Sequence, residues 1–133
     1  MSFGLFAQNS SEGENPEMYA NAVTKSAVST SAKAITKTGY ATYYAKKFEG
    51  RKTSSGVRYR ARKMTAAHMR LPFGTIVTVT NLANGKSVDV EVNDRGPHSR
   101  KYIIDLSEGA AKELGFYRKG QSKVEISYRL DAD

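Results

Sequence analysis

The chain has 133 residues, with 21 Lys+Arg against 13 Asp+Glu, no cysteine and no tryptophan. That length fits one domain, and the absence of cysteine excludes disulfides, thiolate metal sites, a cysteine nucleophile and a lipid-anchoring cysteine. The longest apolar run falls far short of the ~20 residues of a membrane-spanning helix.

The charge is uneven. Residues 1–40 carry three acids and three bases, so the net +8 lies entirely beyond them. Nine basic residues and one acid, Glu49, fall between Lys46 and Arg70. A stripe of that density favours a polyanionic partner: nucleic acid, anionic lipid or an acidic cell-wall polymer. The plainer alternative is a solvated loop surface that keeps the protein soluble.

In chain order, Met1–Gln8 is apolar and ends near small Ala7, compatible with the tail of a secretory signal. Residues 1–38 as a whole read as a flexible N-terminal segment, rich in Ser, Thr, Ala and Asn beyond residue 8 and without a sustained apolar stripe. Thr42–Ala45 is a short strand candidate. Thr75–Thr80 is β-branched throughout, and Val88, Val90 and Val92 alternate with Asp89, Glu91 and Asn93, the period of a half-buried strand. Asn84-Gly85 between them is a hairpin signal. Ser107 is a good helix N-cap, followed by Glu108, by Ala110, Ala111 and Leu114 on one side, and by Gly115 as a stop. Val124, Ile126, Tyr128 and Leu130 alternate again. Short strands, one helix and turn-rich connections predict a small, mainly β barrel decorated by a helix.

Four segments carry a resemblance: GYATYYAKKFEGRKTSSG (39–56), MTAAHMRLPFGTIVTVTNLANGKSV (64–88), VNDRGPHSR (92–100) and YIIDLSEGAAKELG (102–115). In this order and spacing they resemble the rare lipoprotein A (RlpA) family, whose fold is a six-stranded double-psi β-barrel. The resemblance places the barrel at residues 39–130. It implies a periplasmic, cell-envelope or secreted bacterial protein, and a lytic transglycosylase acting on peptidoglycan glycan strands that lack stem peptides. Such an enzyme cuts the bond between N-acetylmuramic acid and N-acetylglucosamine and leaves a 1,6-anhydro product. Partners implied are peptidoglycan and divisome or other envelope proteins. A monomer is expected, with no cofactor, no metal and no nucleic acid.

On that chemistry, Asp94, in Asn93-Asp94-Arg95-Gly96-Pro97, is the first candidate for the proton-transferring carboxyl. A turn-capping Asp, or one paired with Arg95, is the structural alternative. Asp105 is the second carboxylate, with helix-dipole stabilisation as its alternative role. His68 would hold Asp94's proton or contact sugar hydroxyls, against a buried structural histidine. Arg95 and the tyrosines Tyr43, Tyr44 and Tyr59 are candidate substrate contacts, aromatic faces being apolar platforms for sugar rings. Adjacent strand residues face opposite sides, so one of Tyr43 and Tyr44 is expected in the groove and the other in the core.

The chain departs from the family pattern after Ser55-Gly56. Active members commonly carry acids at the positions held here by Val57 and Arg60. The alternative reading is therefore a non-catalytic, cell-wall glycan-binding barrel that uses the basic loop. A cytosolic nucleic-acid binder rests on charge alone, without a recognition helix.

Overall fold

The computed structural model describes residues 33–130; the expected signal tail and nearly all of the N-terminal segment lie outside them. Six strands close into a barrel: β1 (Ala34–Tyr43), β2 (Thr65–Ala67), β3 (Ile76–Asn81), β4 (Ser87–Asp94), β5 (Tyr102–Leu106) and β6 (Ser122–Arg129). Around the barrel the order is β1-β5-β2-β4-β3-β6. Every strand has a partner on each side, although β1 before Tyr40 pairs with β6 alone.

The first strand corrects the expected boundary. Residues 34–38, read as the end of a flexible segment, form the start of β1 and pair with β6 from Ala34↔Arg129 onward. Their composition conceals this because little of them is buried: only Ile35 among them packs on the core. The ladder, rather than an apolar stripe, holds them.

Antiparallel β3 and β4 pair Val79↔Val88 and Val77↔Val90 across the Asn84-Gly85 turn, where Gly85 takes a positive φ of 79°. Alternation then sends Val77, Val79, Val90 and Val92 inward, where they meet Val124, Ile126, Ile104 and Leu106. Helix α1 (Glu108–Leu114) closes one flank of this core with Ala110, Ala111 and Leu114. Ser107 Oγ accepts from the Ala110 amide, and Gly115 ends the helix in the left-handed region, as the sequence predicts. A Cβ at Gly109 would stand 2.8 Å from the Ala61 carbonyl, whose oxygen accepts from the Gly109 amide. That close approach ties the 44–64 connection to the helix.

The barrel contains two parallel pairs, β1/β5 and β2/β4, set side by side by the antiparallel contact of β2 with β5. Parallel neighbours need long crossovers rather than tight hairpins. The basic stretch between β1 and β2, which are not neighbours in the barrel, runs along the end where β4 finishes: the Ser54 amide bonds Asp94 Oδ1 and the Ser55 amide the Asn93 carbonyl.

Candidate functional site

The site is built around Ala67, the last residue of β2. Ala67 faces Asp94 of β4 on one side and Asp105 of β5 on the other. Two strand spacings separate the carboxylate-bearing Cα atoms, roughly 10 Å. Asp94 reaches this register through a bulge: Ala66 pairs with Val92 but Ala67 pairs with Asp94, so Asn93 is skipped. Bulges commonly re-aim a side chain in this way. Both acids therefore flank one small residue at one end of the barrel.

Their surroundings differ. Asp94 Oδ2 accepts from the Tyr44 hydroxyl at 2.6 Å, and Oδ1 accepts from the amides of Ser54 (2.8 Å) and Arg95 (2.9 Å). Burial alone would raise its pKa, but these donors outweigh burial and hold the carboxyl below the usual range. Asp105 has no such support. Its Oδ1 is buried without a hydrogen-bond partner among the described residues. Burial first, and then the negative charge of Asp94, push its pKa up to about 6. One carboxyl is set to be ionised and its neighbour to keep a proton in mildly acidic conditions. An acid/base pair requires divergence of this kind.

Tyr44 explains part of the asymmetry and corrects an expectation. It is not a sugar platform: its ring is buried and stacks on Tyr59 at 4.3 Å and 10°, with Phe48 edge-on. Burial and its bond to Asp94 raise the pKa of its hydroxyl, which stays protonated as a donor. Tyr59 is likewise buried, and its hydroxyl accepts from the Glu108 amide at the start of α1. Tyr43, half-buried, stacks on Tyr117 at 4.9 Å, donates to the Tyr117 carbonyl and packs on the main core cluster. All three tyrosines thus serve packing. Their hydroxyls find partners 49 or more residues away, which no local pattern signals.

Arg95 also has a structural job. Its guanidinium donates to the carbonyls of His68 and Leu71 and lies 4.1 Å over the Phe73 ring, so only its backbone amide serves Asp94. His68 is tied to Asp94 through the main chain, its amide donating to the Asp94 carbonyl. Its imidazole is not aimed at the acid. Nδ1 accepts from the amides of Arg70 and Leu71, which leaves the ring proton on Nε2. Burial, with Lys37, Arg95 and Arg70 nearby, lowers its pKa, so it stands as a neutral donor rather than a store for Asp94's proton. His98, not among the sequence candidates, comes close instead. Its ring lies 4.0 Å from where a Cβ on Gly96 would sit, and the Ala67 methyl lies 3.6 Å from the same point.

The two departures from the family pattern line a cleft of about 420 Å³ beside the pair, with Ser55, Phe73 and Asn93. Val57 is half exposed, and Arg60 pairs with Glu49 at 3.3 Å. Asp94 itself does not line this cleft; its neighbour Asn93 does.

A Tyr44→Phe substitution keeps the stack and removes one donor. Asp94 should then titrate closer to an ordinary carboxylate, read by carboxyl NMR. Because a depressed folded-state pKa stabilises above the unfolded value, the variant should lose about 1 kcal/mol at neutral pH. That loss should shrink as pH falls through the range where Asp94 protonates. An unchanged Asp94 titration would mean that the two backbone amides alone set it.

The closed six-stranded barrel, with two acids flanking one end of β2, defines the architectural class. A family model described as lytic transglycolase matches residues 36–126, and the chain belongs to that double-psi β-barrel family. It is 50% identical over 95 residues to the endolytic peptidoglycan transglycosylase RlpA of Haemophilus influenzae, covering 71% of this chain and 33% of that protein. It is 53% identical over 92 residues to the protein of the same name from Neisseria meningitidis serogroup A, covering 69% and 38%. The chain thus spans little more than a third of these relatives. Among solved structures, the Streptomyces papain inhibitor superposes with a TM-score of 0.58 at 24% identity, over 72% of this chain and 94% of that one, and shares the fold alone. A mutant Clavibacter michiganensis expansin in complex with cellohexaose gives 0.54 at 25% identity, over 74% and 51%.

Proposed function

We propose that this barrel is a peptidoglycan lytic transglycosylase that cleaves the bond between N-acetylmuramic acid and N-acetylglucosamine in peptide-free glycan, leaving 1,6-anhydro ends. It would act outside the cytoplasm, where that polymer lies, as a monomer. The observation that carries this reading is the pair Asp94 and Asp105, flanking Ala67 with opposite shifts.

In the reaction the C1–O4 bond breaks and the muramic acid O6 attacks C1. Asp105 gives its proton to the departing O4, while ionised Asp94 takes the proton from O6–H. The pair holds one proton before and one after, so a proton passing between the acids restores the start. No water is consumed, which distinguishes this use of two carboxyls from hydrolysis. Ionised Asp94 also favours the oxocarbenium-like transition state. The assignment moves the proton-donor role from Asp94 to Asp105, because three hydrogen bonds keep Asp94 ionised, with no proton to give at neutral pH.

A glycan-binding barrel without catalysis is the second reading, favoured by Val57 and Arg60 at positions where acids are expected. Mass spectrometry of peptide-stripped sacculi after incubation decides between them. Anhydro-muramyl ends support cleavage; a folded protein that binds glycan and yields none is a binding module. Val57→Glu adds one negative charge near the pair and should raise turnover several-fold, within the ~0.3–1 kcal/mol of an exposed charge. Arg60→Asp would oppose this gain by setting a second acid against Glu49. Equal rates for wild type and Val57→Glu would put position 57 outside the chemistry.

A further inference from the structure

A second recess, about 610 Å³ in volume, opens at the end of the barrel that holds the acid pair. Its lining includes Lys37, Arg70 and Arg100, both histidines and Tyr102, and no carboxylate. The placement follows from the strands. His68 and Arg70 follow Ala67 by one and three positions, His98 and Arg100 follow Asp94 by four and six, and Tyr102 precedes Asp105 by three. The recess begins at His68, directly beside Ala67, and extends away from the pair along β1 to Lys37, five positions before the Thr42 that pairs with Asp105, or ~16 Å at ~3.3 Å per strand residue. His98 lines the recess, and its ring comes within 4.0 Å of the point a Cβ on Gly96 would occupy. Three permanent cations without an acid among them make a site for an anion, and neutral His68 offers Nε2–H beside them.

Peptidoglycan glycan has one anionic group near the cleaved bond, the lactyl carboxyl on muramic acid O3. While a stem peptide is attached, this carboxyl is an uncharged amide. Hydrolysis of that amide leaves a free carboxylate. We propose that the Lys37–Arg70–Arg100 recess is a subsite for the free lactyl carboxylate of the muramic acid at the cleaved bond. Loss of the stem peptide is thereby read as a new negative charge as well as the removal of bulk. The proposal rests on the transglycosylase reading for its choice of glycan.

The test uses the full chain and three forms of one glycan preparation: peptide-bearing strands, peptide-free strands, and peptide-free strands whose carboxyls are coupled to methylamine. Binding is measured by co-sedimentation at fixed salt, and cleavage by anhydro-product yield. Peptide-free strands should bind at least about tenfold more tightly than the methylamide, the scale of one charge-assisted hydrogen bond. In the Arg70→Gln, Arg100→Gln double variant the preference should vanish while affinity for the methylamide stays unchanged. Both side chains are exposed, so the variant should melt as wild type does. Equal binding of carboxylate and methylamide strands by wild type, or a preference retained by the double variant, overturns the subsite. Peptide-bearing strands that bind as tightly as peptide-free ones also overturn it, since stem carboxylates would then be what is recognised. Cleavage without a carboxylate preference refutes the subsite and leaves the transglycosylase reading intact. A preference without cleavage refutes that reading and leaves the subsite standing.

Discussion

Asp105→Asn should reduce anhydro-product formation by at least ~100-fold, the lower end of general acid–base contributions, while making the barrel more stable at neutral pH. Both effects have one cause. A carboxyl whose folded pKa is raised to about 6 stabilises the fold while it is protonated, and that stability is lost as pH rises through about 6. Wild type at pH 8 therefore carries an ionised, poorly solvated carboxylate beside Asp94, at a cost on the order of 3 kcal/mol. The asparagine variant carries no such charge. Its melting temperature should exceed that of wild type at pH 8, and the gap should close as pH falls well below 6. Stability that rises when activity is removed is the expected mark of a functional rather than a packing residue.

The pH–rate profile separates the two acids. Wild-type turnover should decline as pH rises through about 6, when Asp105 loses its proton, and should fall in stronger acid, when Asp94 gains one. Asp94→Asn should also cost at least ~100-fold. In addition, it removes the charge that helps to raise Asp105, so the alkaline limb of the residual activity should move to lower pH. If Asp105→Asn stays active while Asp94→Asn is dead and no alkaline limb exists, Asp94 performs both proton transfers alone.

Much of the barrel is legible because it obeys local rules. The β3–β4 hairpin has strict alternation and an Asn-Gly turn, and α1 has an N-cap and a glycine stop. The strands β2 and β5 lack such marks. β2 has three residues, too few for any period, and β5 reads Tyr-Ile-Ile-Asp-Leu without alternation. Both acids stand out in the sequence, but their opposite titration does not. It depends on a one-residue bulge, on Ser54 and Tyr44 forty and fifty residues from Asp94, and on Asp105 Oδ1 having no donor among the described residues. The tyrosines misled for a related reason. A Tyr-Tyr pair has the same composition on a binding face as in a core, and only the stack of Tyr44 on Tyr59 tells which.

A chain beginning at residue 39 should fail to fold cooperatively, whereas one beginning at Lys33 keeps the complete β1 ladder. Composition alone argues otherwise, since residues 34–38 contribute one partly buried apolar side chain, Ile35. The ladder reverses that expectation. β1 and β6 form eight register pairs from Ala34↔Arg129 to Ala41↔Ser122, and starting at residue 39 removes the first five. Half of the β6 edge would then face solvent. Each lost hydrogen bond is worth ~0.5–1.5 kcal/mol net, so a few of them approach the ~5–15 kcal/mol that holds a domain together. An exposed strand edge also invites pairing between chains, so the shortened protein should aggregate as well as melt early. The melting temperature should fall by more than ~10 °C relative to the Lys33 start. A cooperative transition within a few degrees of it would show that β6 holds its place through β3 alone, by the Thr78↔Ser127 to Asn81↔Val124 pairs. The same cut removes Lys37 from the cationic recess, so any soluble fraction should also lose part of its preference for carboxylate-bearing glycan.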